Sequence, residues 1–390
     1  MIILDKPYVS ELMEETLKSN GFPVLKNSEA EKLGEAKNIN LIEENAFIDK
    51  VRNEKNIFLY SNSENSINWI SKNLSFTNIP EKINLFKDKV KFRDLLKPIF
   101  PDFFYKEIKF NELESFNLSG CSYPFIIKPA VGFFSLGVHK VKTAAQWPST
   151  VAEIKKEITQ AQGLYPESVV DTTKFIVEQN IEGTEFAIDT YFNEKGKPVI
   201  LNILEHKFPN EDDLTDRAYI TSKYIIEKYH PHFEYLLMKI GALAKLKNFP
   251  MHIEVRITNE GEIIPIEVNP MRFTGWCLTD IAHYAYDINV YDYYINQKTP
   301  DWETILKGKE EKVYSMIIAS LPKDISAKEI DTINYDKFTT HFEKPLALRK
   351  INYNEYPVFG FLFAETREEN WNEIDYILKS DLKEFIQLKS

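Results

Sequence analysis

The sequence predicts an α/β protein of two or three domains: a parallel α/β segment, a larger central segment and a C-terminal α/β subdomain. Three observations carry this. The chain has 390 residues, more than one ordinary core holds. Residues 1–87 alternate strand-like and helix-like stretches, the pattern of a parallel sheet covered by helices. Residues 251–272, MHIEVRITNEGEIIPIEVNPMR, read as two period-two strands joined by a tight turn.

In order, residues 2–4 read as a short strand, Ser10 as an N-cap, and residues 11–19 as an amphipathic helix closed by Asn20-Gly21, after which residues 23–25 return as a strand. Residues 57–60 and 65–73 repeat strand then helix. No G-x-G-x-x-G accompanies them, so a dinucleotide role is not supported. Residues 88–96 (DKVKFRDLL) form a helix ending before Pro98. Its Lys89 reads by itself as a solvated helix charge. Residues 123–129 (YPFIIKP) form a buried strand that delivers Lys128 at its end. The Gly132-to-Gly137 loop that follows holds Ser135 between its glycines and has Phe133 and Phe134 at its tip. Backbone N–H groups there can turn toward an anion, with Lys128 adding a point charge. An ordinary β-hairpin fits the same residues. Residues 175–186 are a strand, a short break and a second strand that runs to Phe192, which leaves backbone groups free for an adenine edge. Residues 199–205 follow as another strand.

In the 251–272 hairpin, His252, Glu254 and Arg256 share one face, as do Glu267 and Asn269. A two-residue loop at Glu260-Gly261 sets Glu254 opposite Glu267 and His252 opposite Asn269. Facing carboxylates repel unless a cation sits between them, and an oxygen-only set of two carboxylates and an amide suits Mg2+ or Mn2+ over zinc. A solvated acidic hairpin is the alternative. Residues 271–280 (MRFTGWCLTD) leave the same strand. Arg272 and Trp276 there suit an acceptor pocket, or else a surface arginine and a core tryptophan. Cys277 reads as a core or pocket-lining thiol. His206, Lys207, Asp216 and Arg217 form a polar stretch that suits a further substrate loop. Strands at 314–321 and 358–364 and a final helix over 370–385 make up the C-terminal subdomain, expected to close over the site or to serve as a homodimer contact.

Composition narrows the function. Hydrophobic residues are 43% and charged residues 27%, ordinary for a globular protein. A net charge of -11 argues against nucleic acid as a partner. Two cysteines, Cys121 and Cys277, are too few for a disulfide framework and suit a reducing cytoplasm. No run reaches membrane-spanning length, and the N-terminus carries no apolar leader.

Taken together, Asp88-Lys89, IIKP with Lys128, the Gly/Ser loop, VEQNIEGTE, HIEVRI and IEVNP resemble the ATP-grasp superfamily, of carboxylate-amine ligase type. The resemblance covers residues 88–300 and implies a preATP-grasp domain at 1–87, an ATP-grasp domain at 88–300 and a C-terminal subdomain at 301–390. It implies that Lys89 and Lys128 contact ATP phosphates under a loop carrying Gly132, Ser135 and Gly137. Glu178 and Ile181 would then meet adenine and Glu185 the ribose, while Glu254, Glu267 and Asn269 hold two Mg2+ ions. Arg272 stands three residues after Asn269, where many relatives have arginine two after. The implied activity joins a small-molecule carboxylate to an amine, an amino acid or short peptide being expected, with Arg272 holding a carboxylate and Lys128 the transferred phosphoryl group.

Overall fold

The computed structural model describes residues 1–33, 38–132, 137–161, 171–209 and 216–389. At the N-terminus, β1 (Ile2–Ile3), β2 (Val24–Leu25), β3 (Leu41–Ile42) and β4 (Tyr60–Ser61) form a parallel sheet in the order β3-β2-β1-β4. The helix Glu11–Asn20 begins where Ser10 accepts a hydrogen bond from the Met13 N–H (3.1 Å) and ends at Gly21, whose φ of 62° is the left-handed turn that glycine adopts freely. The sequence reading misses β3 and the helices Ser28–Leu33 and Glu44–Asn53. It also places a strand at 57–60 where only Tyr60–Ser61 pairs. Two-residue strands carry too little alternation to be read.

A second sheet is small and antiparallel, in the order β5-β8-β6-β7: β5 (Tyr105–Lys109), β6 (Phe125–Val131), β7 (His139–Val141) and β8 (Asp171–Gln179). It owns a separate apolar core built on Phe125, Ile127, Trp147, Ile154, Phe175 and Val177.

The third sheet has eight antiparallel strands. Its members are β9 (Thr184–Phe192), β10 (Pro198–Lys207), β11 (Ala218–Ser222), β12 (Phe249–Ile257), β13 (Ile263–Pro270), β14 (Lys312–Ser320), β16 (Lys344–Lys350) and β17 (Val358–Arg367). The order is β13-β12-β9-β10-β11-β14-β17-β16, so the C-terminal strands extend the same sheet. A two-stranded ribbon, β15 (Ile330–Ile333) with β18 (Ile386–Leu388), flanks it. The helix Lys223–Ala244 lies against β10. Gly241 lets it come that close, since a Cβ there would stand 2.2 Å from the Phe192 ring. One apolar core runs from the N-terminal sheet through this large sheet. The final helix covers only Asn372–Lys379, because Ser380 is extended and Leu382 is left-handed (φ 62°). Among the described residues no helix is long and apolar enough to cross a membrane.

β12 and β13 set Glu254 opposite Glu267 and His252 opposite Asn269, the register the sequence predicts. The route differs. Ile257 pairs with Ile263, so the connection is Thr258 to Glu262, closed by Thr258 N–H to Glu262 O (2.8 Å), with Gly261 at φ 84°. That loop alone would put Ile266 opposite Glu254. Val255 pairs with Pro265, and the extra residue between Pro265 and Glu267 is a bulge that restores the carboxylate pairing. Proline fits there because β13 is an edge strand.

Candidate active site

The helix Lys89–Leu96 starts on Asp88, whose Oδ1 accepts the N–H groups of Val90 (3.0 Å) and Lys91 (3.3 Å). Its buried face carries Lys89, Phe92, Arg93 and Leu96, an i, i+3, i+4, i+7 stripe that brings two cations inside. Arg93 donates through Nε to Glu178 (2.7 Å) and through a terminal nitrogen to the Pro265 carbonyl (2.7 Å). Lys128 Nζ sits 2.7 Å from the other oxygen of Glu178. All three side chains are buried. Burial pushes the Glu178 carboxyl up, but Arg93 and Lys128 outweigh it and hold it at about 2. The Lys128 ammonium is lowered by burial, which with the Lys89 and Arg93 charges outweighs Glu178 and Glu267.

This arrangement makes acid stability testable. A carboxyl held below its ordinary value contributes stability above about pH 4.5, and that stability is lost as pH falls toward about 2. The shift corresponds to about 3 kcal/mol. Denaturant titrations across that range should show the decline, and Glu178→Gln should be less stable near neutrality with a shallower acid slope. An unchanged slope would mean that Glu178 is not the group titrating.

Lys89 Nζ lies 3.2 Å from Glu267 and 3.3 Å from the Gly132 carbonyl. Burial raises the Glu267 carboxyl, but Lys89, then Lys128 and Lys87, hold it at about 2. Glu254 is raised by burial and by the Glu267 charge, with His252 Nε2 at 3.3 Å opposing this. Among the described residues no three His, Cys, Asp or Glu side chains cluster as metal ligands. The oxygen set is therefore two carboxylates and the buried amide of Asn269. Such donors fit Mg2+, and the phosphate side fits a polyanion, for the buried Arg93 NH2 has no hydrogen-bond partner among the described residues and Lys128 lies among the Lys89 and Arg93 charges.

At the 180–183 break, Gly183 (φ 135°) lies so close to β12 that a Cβ would meet the Ile257 carbonyl at 2.0 Å. The Ile181 carbonyl accepts from Arg256 (2.7 Å), and Arg256 also grips Glu185 through Nε (3.0 Å) and NH2 (2.8 Å). His206 Nδ1 is 3.0 Å from the other Glu185 oxygen and its Nε2 is 3.3 Å from Asp216. Lys207 pairs with Glu205, and the Arg217 carbonyl accepts from the Ile318 N–H (2.9 Å). Gly137 takes a φ of 69°. Ser135, Phe133 and Phe134 lie outside the described residues.

The 271–280 segment is unusual in its backbone: Met271 (φ 68°), Trp276 (57°) and Cys277 (54°) are all left-handed without being glycine. Two buried charges hold it. Asp189 accepts from Thr274 N–H (2.8 Å), the hydroxyls of Thr274 (2.9 Å) and Thr279 (2.7 Å), and stands 2.9 Å from His252 Nδ1. Burial lowers the His252 pKa, yet Asp189 and Glu254 raise it to about 9. From β16, Arg349 pairs with Asp280 and donates to the Cys277 carbonyl (2.7 Å). Trp276 meets Tyr356 edge-on at 4.7 Å. Burial and Asp280 push the Cys277 thiol up to about 11, so it is a core thiol. Arg272 is turned to Glu64 of the N-terminal segment, through Nε at 3.2 Å and NH2 at 3.0 Å.

The fold therefore gathers Lys89, Lys128, Glu178, Glu254, Glu267 and Asn269, sets Ile181 and Glu185 at one border, and points Arg272 toward the N-terminal sheet. The side chain of Glu178 is spent on Arg93 and Lys128, which leaves its backbone for any hinge contact. Arg93, Asp189, Arg256 and Glu64 escape the sequence reading. For Arg93 the i, i+4 spacing from Lys89 beside Phe92 and Leu96 is the signal that could have found it.

Residues 121–280 match the family model for the ATP-grasp domain. The whole chain is similar in structure to the L-amino acid ligase from Bacillus licheniformis, with a TM-score of 0.68, 18% identity, and 100% of this chain and 98% of that one covered. It is similar to biotin carboxylase from Campylobacter jejuni, at 0.66 and 12%, covering 100% and 91%. N5-carboxyaminoimidazole ribonucleotide synthetase from Thermotoga maritima gives 0.64 and 16%, covering 100% and 99%. At these identities the likeness is one of fold. No curated protein matches the sequence.

Proposed function

We propose that the chain, whose residues 121–280 match the ATP-grasp domain and whose fold is that of the L-amino acid ligase above, is an ATP-dependent carboxylate-amine ligase, forming an amide or peptide bond and releasing ADP and phosphate. The observation that supports this most is the Glu254–Glu267 pair on facing strands, with Lys89 and Lys128 converging on Glu267. The division at 1–87, 88–300 and 301–390 belongs to the same reading, as does a cytoplasmic location, for both cysteines are free thiols.

In this mechanism Glu254, Glu267 and Asn269 would hold two Mg2+ ions, with Mn2+ as a substitute. Bound there, the metal neutralises charge on the γ-phosphate. Lys128 and Lys89 sit beside the transferred group, and Glu178 holds Lys128 in place from behind. A carboxylate oxygen of one substrate attacks the γ-phosphorus as ADP leaves, and the amine of the second substrate displaces phosphate from the acyl phosphate. The protein contributes position and electrostatics, with no nucleophile of its own. Glu185 is assigned to the ribose hydroxyls, and the Ile181 backbone, steadied by Arg256, to adenine. Gly132, Ser135 and Gly137 cover the phosphates. One substrate is an amino acid or short peptide whose carboxylate Arg272 holds, with Trp276 as a wall.

Screening amino-acid pairs for phosphate release, with products identified by mass spectrometry, tests this. A pair that releases phosphate and yields a condensed product is the expected result. Release without condensation points to a non-amine acceptor, and no stimulated release from any pair points to an ATP-binding module.

A further inference from the structure

β13, β12 and β9 lie side by side in that order, and their register puts Asn269, His252 and Asp189 on one rung. The next rung carries Glu267, Glu254 and Ala187. Asp189 is wholly buried and His252 nearly so, at 0% and 5% exposure. A polar group so placed must find hydrogen bonds inside the protein, and the partners it finds show what it holds.

The groups that Asp189 gathers belong to two different parts of the site. His252 Nδ1, 2.9 Å from Oδ1, is on β12, and Nε2 of the same ring stands 3.3 Å from Glu254. The Thr274 N–H (2.8 Å to Oδ1) and the hydroxyls of Thr274 and Thr279 (2.9 and 2.7 Å to Oδ2) are on the segment that follows β13. Asp189 is itself on β9, on the far side of β12 from that segment's own strand.

Each arm fixes something that the local chain leaves loose. With one ring nitrogen on each carboxylate His252 cannot turn freely, and its contact with one Glu254 oxygen sets the direction of the other. Thr274 and Thr279 bracket a turn in which Trp276 and Cys277 are left-handed without being glycine, a conformation that persists only where its surroundings hold it. Both ends of that turn are tied to the one carboxylate. We infer that Asp189 is a positioning residue that locks two parts of the active site together: the metal ligand Glu254, through His252, and the 271–280 segment, through Thr274 and Thr279. The inference rests on the ligase reading above for the roles of Glu254 and of the segment. It adds the joint that keeps the metal and the acceptor pocket at a fixed spacing.

Three substitutions in the full chain separate the two arms. One readout is Mn2+ binding in the presence of ADP, with free Mn2+ measured by electron paramagnetic resonance. The other is hydrogen exchange of residues 271–280 without nucleotide. Asp189→Asn should weaken Mn2+ binding about 10- to 100-fold and speed exchange by a similar factor. His252→Asn keeps a donor for Asp189 and loses the one facing Glu254, so it should weaken Mn2+ binding about as much while exchange stays within about twofold of wild type. Thr279→Val should do the reverse. The inference is overturned if Asp189→Asn leaves either readout at its wild-type value, or if His252→Asn and Thr279→Val each move both readouts together, as a general loosening of the fold would. A wild-type chain that binds no Mn2+ with ADP overturns the ligase reading and the metal arm with it, while exchange still decides whether Asp189 holds the segment. Should Asp189→Asn not fold, the opposite responses of His252→Asn and Thr279→Val carry the test.

Discussion

Glu267→Ala is expected to lower turnover by roughly a thousandfold at saturating Mg2+ while the chain still folds. The carboxylate faces Glu254 across β12 and β13 and is held ionised by Lys89, Lys128 and Lys87, so it is ready to accept a dication without first losing a proton. Its removal ends the repulsion that raises Glu254, which offsets part of the lost Lys89 contact at 3.2 Å. Lys89 keeps the Gly132 carbonyl. Steady-state rates with added Mg2+, alongside thermal unfolding, check this. A variant with the wild-type rate would remove Glu267 from the metal site.

Lys128→Ala should weaken ATP binding by about 10- to 100-fold and slow phosphoryl transfer by at least as much, since a buried charge facing phosphates is worth several kcal/mol (about 2 to 5). The fold should tolerate the change better than a typical broken buried pair, because Glu178 keeps Arg93 at 2.7 Å. Calorimetric titration with ATP and single-turnover rates separate the two effects. If affinity and rate both stay at wild-type levels, Lys128 serves only to neutralise Glu178.

The legible parts of this protein are those set by neighbours in sequence. Ser10 and Gly21 mark a helix because caps act within three residues, and the alternation of His252, Glu254 and Arg256 needs nothing outside the strand. The facing of Glu254 and Glu267 comes out of the sequence by a longer path than a symmetric two-residue turn. The connection takes one residue more on its first side, and the bulge at Ile266 returns it. Bulges beside a proline at a sheet edge leave little trace in hydrophobic pattern. The partners of buried charges are harder still. Nothing near Arg272 in the chain indicates Glu64, and Asp189 sits within an ordinary alternating strand although it gathers four groups from β12 and the 271–280 segment. Arg93 is the exception, because its helix displays it on the apolar stripe.

The two apolar cores are separate: one beneath the small sheet, the other running from the N-terminal sheet through the eight strands. Across the line between them, among the described residues, several ties are polar. They include Arg93 on Glu178, Lys89 on the Gly132 carbonyl, Lys174 on Asp88 at 3.3 Å, and Arg256 on the Ile181 carbonyl. If the small lobe swings away to release nucleotide, these contacts exchange hydrogen bonds with protein for hydrogen bonds with water. Exposure of polar groups lowers the heat capacity where apolar exposure raises it, so these ties hold down the heat-capacity change of such an opening. A balance of that kind would answer to solvent ions and dielectric, as an electrostatic latch does between two hydrocarbon bodies.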